Sequence, residues 1–368
     1  MKRIAYLCLS GGWGGLEMNQ LRNAQQMQKR GHSILLIANP ETPIAKAAAQ
    51  NNIPLYIVAQ QPKHYQWVFA LHLARHLIAG GFEHLIFRNN RELSIAASVR
   101  FFSFSKVKVH YFMEMALGGK KTQFFRTLRY WFVDSWVCPL PYLQFQVLNQ
   151  TRIAKQKVKE IPSGLLFNSQ TLLSKQEARS RLQWPIENKL ILSVGRIDLK
   201  KRQAFVWKSF SMRPSADEIL IFVGDPTPDQ NNDYHKNLIQ SIHEHPKKNQ
   251  VIWAGFQQNM PLIYQAADMV IMAADYETVG MVTLEALQNH CPIVGANNGG
   301  TKEIITSFGG GICFRSLDQN DLNLKLDEVL NGQTPTIEHP LFEQHFDFKR
   351  VCAQVETEVL GLEAPIFQ

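Results

Sequence analysis

Read for apolar and polar positions alone, the chain alternates between short, nearly unbroken apolar runs and longer stretches in which apolar residues recur every three or four positions. It opens with KRIAYLCL, passes through a glycine loop, SGGWGGLE (10–17), continues as an amphipathic stretch to Lys29, and becomes apolar again in SILLIAN (33–39). Strand, loop, helix and strand in that order make a βαβ unit. Further runs follow at IPLYIVA (53–59), HLIFRN (84–89), KVKVHYF (106–112) and SWVCPL (135–140), with helical patterns between them. Runs without polar alternation are what parallel strands look like when helices cover both faces of the sheet.

The pattern breaks around VKEIPSGLLF (158–167), where Pro162-Ser163-Gly164 interrupts it, and a charged helical stretch from Lys175 to Leu182 follows. A second series then begins: KLILSVG (189–195), EILIFVGD (218–225), NQVIWAGF (249–256), ADMVIMAA (267–274), CPIVGAN (291–297) and GGICF (310–314). The last segment, FDFKRVCAQVETEVLG (346–361), is an amphipathic helix with Phe348, Val351, Val355 and Val359 on one side. The expected fold class is α/β, with two Rossmann-like domains. The expected divisions are 1–165 with the terminal helix 346–368, and 166–345. At 368 residues the chain is long enough for two cores.

Composition adds three constraints. With 45% apolar and 19% charged residues the chain is globular rather than disordered. The first apolar run is too short for a signal-peptide core, and no window approaches a membrane span, so the expectation is a cytoplasmic protein, peripheral to a membrane at most. Five cysteines with no C-x-x-C pair read as reduced core thiols, not a disulfide framework or a zinc site. The net charge of +8 is also unevenly spread. Residues 1–165 hold 21 Lys and Arg against 7 Asp and Glu, and residues 166–368 hold 18 against 24. Only the first half is suited to an anionic surface or substrate.

Candidate chemistry sits where the second series of strands ends. In YETVGMVTLEAL (276–287), Glu277 lies in a loop, Gly280 permits close backbone approach, and Glu285 falls in the first turns of a helix. A helix N-terminus offers amides and partial positive charge to a phosphate, and carboxylates accept hydrogen bonds from sugar hydroxyls. On spacing alone E-x7-E is common in helices; the following CPIVGANNGGTKEII, with Gly299-Gly300 and Glu303, adds a second polar loop at the same sheet edge. In VGRIDLKKRQ (194–203), Arg196 and Lys201 are two cations that suit a diphosphate and the charge developing on a departing nucleotide. Taken by itself, the Lys200-Lys201-Arg202 run is equally a solvated loop. The loop SGGWGGLE lacks the last glycine of G-x-G-x-x-G, which disfavours a nicotinamide enzyme.

GGLE near the start, IPSG at the junction, VGR followed by Lys201, and E-x7-E with GMVTLEAL and GGTKEI together resemble glycosyltransferase family 4, over nearly the whole chain. The resemblance implies the GT-B fold: two Rossmann-like domains across a cleft, the acceptor mainly on the first and the nucleotide sugar mainly on the second, with a terminal helix crossing back to the first. It also implies a retaining hexosyltransferase using a nucleotide diphosphate sugar, without a metal or other cofactor. It carries Arg196 and Lys201 to the diphosphate, Glu277 to the donor sugar, Glu285 to the ribose, and the amides of Gly280, Met281 and Val282 to phosphate and sugar. Gly14 and Gly15 would approach the donor phosphate. Many members place a histidine just after a first-domain strand, near the reacting carbon; the matching stretch here is KVKVHYFMEMALGG, so the resemblance carries His110 to that catalytic position although it lies within the apolar run, with Glu114, where the loop would begin after Met113, as the alternative polar group.

The expected acceptor is a hydroxyl of a lipid-linked or cell-envelope saccharide. GGKKTQFFRTLRYWF (118–132) interleaves Lys120, Lys121, Arg126 and Arg129 with aromatics, a pattern suited to an anionic membrane surface and equally to an ordinary helix with its aromatics in the core. No nucleic-acid motif accompanies it. Two other readings stay open: a same-fold sugar-nucleotide epimerase or phosphorylase, and a non-catalytic nucleotide-sugar binder.

Overall fold

A computed structural model describes residues 1–59, 66–167, 172–226 and 233–363; the side chains of Phe125 and Arg126 also lie outside the description. The chain divides into two compact units, Met1–Gly164 with His345–Gln368, and Leu165–Gln344.

The first unit is built on seven strands: β1 (Arg3–Cys8), β2 (Ser33–Ala38), β3 (Leu55–Ile57), β4 (His84–Phe87), β5 (Lys108–Phe112), β6 (Ser135–Cys138) and β7 (Val158–Glu160). Every pairing is parallel and the order is β3-β2-β1-β4-β5-β6-β7. Tyr6 of β1 lies opposite Leu36 on one side and Ile86 on the other, so the apolar opening run becomes the centre of the sheet. Helices cover the sheet, and residues 4–8 are buried.

The chain re-enters this unit near its end. The helix Phe348–Gln354 continues as a π turn, Val355–Val359, and Phe348, Val351, Cys352, Val355 and Val359 join the same core as Ile4, Tyr6 and Leu36. Gly164 lies under the Phe348 ring so closely that a Cβ there would meet it at 2.7 Å. Polar ties hold the segment as well. Glu356 accepts from Arg30 Nε at 2.9 Å and from His32 Nε2 at 2.8 Å. Because His32 Nδ1 accepts the Lys2 amide, its Nε2 is the nitrogen left to carry the donated hydrogen.

The second unit has six parallel strands: β8 (Lys189–Val194), β9 (Glu218–Val223), β10 (Val251–Gly255), β11 (Met269–Met272), β12 (Ile293–Ala296) and β13 (Gly311–Phe314). Their order is β10-β9-β8-β11-β12-β13. Ile191 of β8 faces Leu220 and Met269, and these three residues sit in the unit's core. In both units the strand order reverses beside the first strand, the position at which open parallel sheets bind ligands. In the second unit the loops at that position are those after β8 and β11.

Candidate functional site

The loop after β8 is shaped by its own side chains. Asp198 accepts the Lys200 amide at 2.7 Å and caps a single 3-10 turn, Leu199–Lys201, and Arg202 takes a left-handed conformation with φ 62° before the helix Gln203–Ser211. This delivers Lys201 toward the loop after β11. Lys201 Nζ lies 2.7 Å from Glu277 Oε2, and both side chains are partly open to solvent. The backbone joins there too: the Asp275 amide donates to the Lys200 carbonyl at 2.9 Å, and Arg202 pairs with Asp275. Arg196 leaves β8 two residues beyond the strand and is exposed.

A third loop, after β12, packs on the second. The Gly300 amide donates to the Glu277 carbonyl at 2.6 Å. A Cβ on Gly299, which has φ 55°, would come within 2.1 Å of that carbonyl oxygen, so only glycine permits this contact. Gly280, φ 77°, starts the helix Met281–Gln288, and no side chain caps it. The first-turn amides of that helix, Met281 and Val282 among them, therefore lack intrahelical acceptors and point out of its positive end. Thr283 and Thr301 join this helix to Gly299–Phe308 through their hydroxyls at 3.0 Å. One turn further along, Glu285 is half-buried and accepts from the Tyr264 hydroxyl at 3.3 Å.

The structure thus brings Lys201, Glu277 and the Gly280 helix start to one edge of the second sheet. Gly14 and Gly15 belong to the first unit. Gly14 has φ −154°, an extended conformation open to any residue, and its amide donates to Glu17 Oε2 at 2.9 Å. Gly15 opens the helix Gly15–Lys29, and a Cβ there would meet nothing within 4 Å. The glycine loop is therefore held by a carboxylate of its own helix.

His110 does not stand at the start of a loop. It occupies the middle of β5, is 1% exposed, and its Nε2 lies 3.0 Å from His84 Nδ1. Burial, with the neighbouring His84 second, drives its pKa well below the ordinary range, so the ring is a neutral part of the sheet interior. The polar residues at the ends of the first unit's strands are others. Arg88 pairs with Glu114 in a buried contact, and Asn19 donates to the same carboxylate at 3.4 Å. Burial raises the pKa of Glu114 despite the opposing charge of Arg88. Glu92 is wholly buried, accepts the Leu9 amide at 2.6 Å, and is pushed up to about 8 by burial.

Arg202, which the sequence offered only as part of a basic run, pairs with Asp275, and neither Asp275 nor Tyr264, which donates to Glu285, was among the sequence candidates. Asp275 had a signal, being an acid two positions before Glu277 at the end of a buried strand; Tyr264, on the preceding helix, had none.

Two units, each a parallel sheet with its order reversing beside the first strand, have the architecture of GT-B glycosyltransferase structures. HepE from Anabaena, solved with UDP, superimposes with a TM-score of 0.84, covering 98% of this chain and 100% of that one at 19% identity. At family level, residues 174–340, all within the second unit, match the model described as Glycosyl transferases group 1. Mannosylfructose-phosphate synthase of Agrobacterium fabrum is 26% identical over 153 residues, 40% of this chain and 34% of that protein. Alpha-monoglucosyldiacylglycerol synthase of Streptococcus pneumoniae is 26% identical over 223 residues, 58% of this chain and 48% of that protein. The chain thus spans about a third to a half of the length of these curated relatives.

Proposed function

We propose that the chain is a retaining glycosyltransferase that moves a hexose-type sugar from a nucleotide diphosphate donor to a hydroxyl of a lipid-linked or cell-envelope saccharide. The observation that carries this reading is the Lys201–Glu277 pair at the point where the strand order of the second sheet reverses, beside the uncapped helix start at Gly280. Without a donor, the cation and the carboxylate neutralise each other. A diphosphate entering between Arg196, Lys201 and the Met281 and Val282 amides would take up the positive charge and leave Glu277 to accept from sugar hydroxyls. Glu285, steadied by Tyr264, is assigned to the ribose. As the glycosidic bond to the diphosphate breaks, charge grows on the leaving oxygens. Fixed cations and helix-end amides stabilise that charge without needing to reorganise. In this reading the donor charge is carried by protein groups rather than by a divalent ion.

The match of the second unit to a glycosyltransferase family and the UDP complex of the structural neighbour HepE support a nucleotide-sugar donor. A lipid product in the name of one relative supports a lipid-linked acceptor. The test is a panel of nucleotide sugars incubated with the full chain and membrane extract, the product's anomeric configuration being read by NMR. Transfer with retention, undiminished in EDTA, is expected. Epimerised donor or free sugar phosphate as the only product would instead establish one of the rival activities.

A further inference from the structure

The first unit carries a surface, at the edge of its sheet where the strands begin, that donor chemistry does not use. The helix Leu93–Phe102 ends there, the helix Phe124–Trp131 ends there, and β5, β6 and β7 start there. Three aromatic side chains stand out from it: Phe104 is 86% exposed, and Phe101 and Trp131 are each 58% exposed. They stand on adjoining segments of this edge. The Phe101 ring meets Phe132, the neighbour of Trp131, edge to face at 5.8 Å, and the Phe104 amide donates to the Phe101 carbonyl at 3.1 Å. Phe104 and Ser105 have φ of 49° and 67°, a region bulky residues seldom adopt, so the local backbone holds a phenyl ring outward in an unusual conformation.

Around the rings lie cations. Lys106, Lys108 and Lys155 are exposed, and Lys157 Nζ donates to the Trp131 carbonyl at 2.8 Å. Glu83 and Asp134, acids at the same edge, are already paired with Lys2 and Arg100 at 2.8 and 2.7 Å. Among the described residues Lys106, Lys108 and Lys155 have no ion-pair partner. Exposed aromatics flanked by uncompensated lysines match the boundary of an anionic bilayer, where rings lie at headgroup level and cations meet phosphates. A second copy of the chain fits poorly, because a two-fold contact would set these lysines against each other.

We propose that this edge docks the first unit on an anionic lipid surface, with Phe101, Phe104 and Trp131 entering the headgroup layer and Lys106, Lys108 and Lys155 facing lipid phosphates. The proposal does not depend on the transferase reading.

Co-sedimentation of the full chain with phosphatidylcholine vesicles, with and without phosphatidylglycerol, tests it. Binding is expected only with phosphatidylglycerol, and high salt should release it. Phe104→Ser should weaken it about tenfold. The pair Lys106→Glu and Lys155→Glu should weaken it by at least about fivefold for each lysine lost. Thermal unfolding should be unchanged in both variants, since the altered side chains are exposed. Equal binding to neutral vesicles, no binding to either, or a dimer in sedimentation that Phe104→Ser abolishes would overturn the proposal.

Discussion

Lys201 and Glu277 are 76 residues apart in the chain and 2.7 Å apart in the fold. Each was legible as a candidate from its own motif, but their meeting was not, because it depends on β8 and β11 being neighbours in a sheet whose order no local pattern encodes. The same holds for Gly299, whose need for glycine is set by a carbonyl from another loop. His110 shows the converse. A histidine in an apolar run is placed by its strand, and burial against His84 decides its character.

These residues separate function from stability. Lys201→Ala should lower kcat by about a hundredfold or more. Because the pair is partly solvated, the same change should alter unfolding free energy by less than about 1 kcal/mol in urea titration. Gly299→Ala should do both: the new Cβ meets the Glu277 carbonyl at 2.1 Å, and a loss of about 2 kcal/mol or more is expected in the same titration, together with loss of transfer.

At the scale of elements, the long apolar runs such as RIAYLC and EILIFV declared their strands plainly, because a strand buried on both faces has no polar alternation to confuse with a helix. β7 escaped notice. Its three residues, Val158-Lys159-Glu160, bury only the valine, and they adjoin the Pro162-Ser163-Gly164 break that dominates the local pattern. The terminal helix was readable from its spaced apolar residues, yet its polar anchor on Arg30 and His32 was not. That anchor has a measurable worth. Glu356→Gln should cost about 2 kcal/mol of stability, read by urea unfolding, because it removes charge-assisted bonds from Arg30 and His32. Burial alone would raise the Glu356 pKa, but the bonds from Arg30 and His32 hold it below the ordinary carboxylate range. Its contribution is therefore present near neutrality and lost as the pH falls through that lowered value.

At the scale of the whole molecule, the basic excess of residues 1–165 is partly structural. Arg88 and Arg100 are engaged in ion pairs, while the lysines where β5 to β7 begin are left for a partner. Glu92 adds a pH dependence of its own. Its folded pKa, about 8, lies above that of an unfolded carboxylate, so the native state holds a proton that the unfolded chain releases. Stability from this group is full at low pH and declines as the pH rises toward 8. Glu92→Gln should flatten that decline and leave the variant the more stable of the two above pH 8, as thermal melts across pH would show.

At the same scale, the sheet edge where the loops after β8 and β11 meet is proposed to hold a nucleotide diphosphate sugar. Calorimetric titration of the wild-type chain and the Lys201→Ala and Glu277→Ala variants with a panel of nucleotide sugars, and with each corresponding nucleotide diphosphate, addresses that claim directly. At least one donor should bind the wild type, Lys201→Ala should weaken donor and diphosphate alike, and Glu277→Ala should weaken the donor while sparing the diphosphate. Binding unaffected by either substitution, or no binding by any donor to a folded wild-type chain, would contradict it.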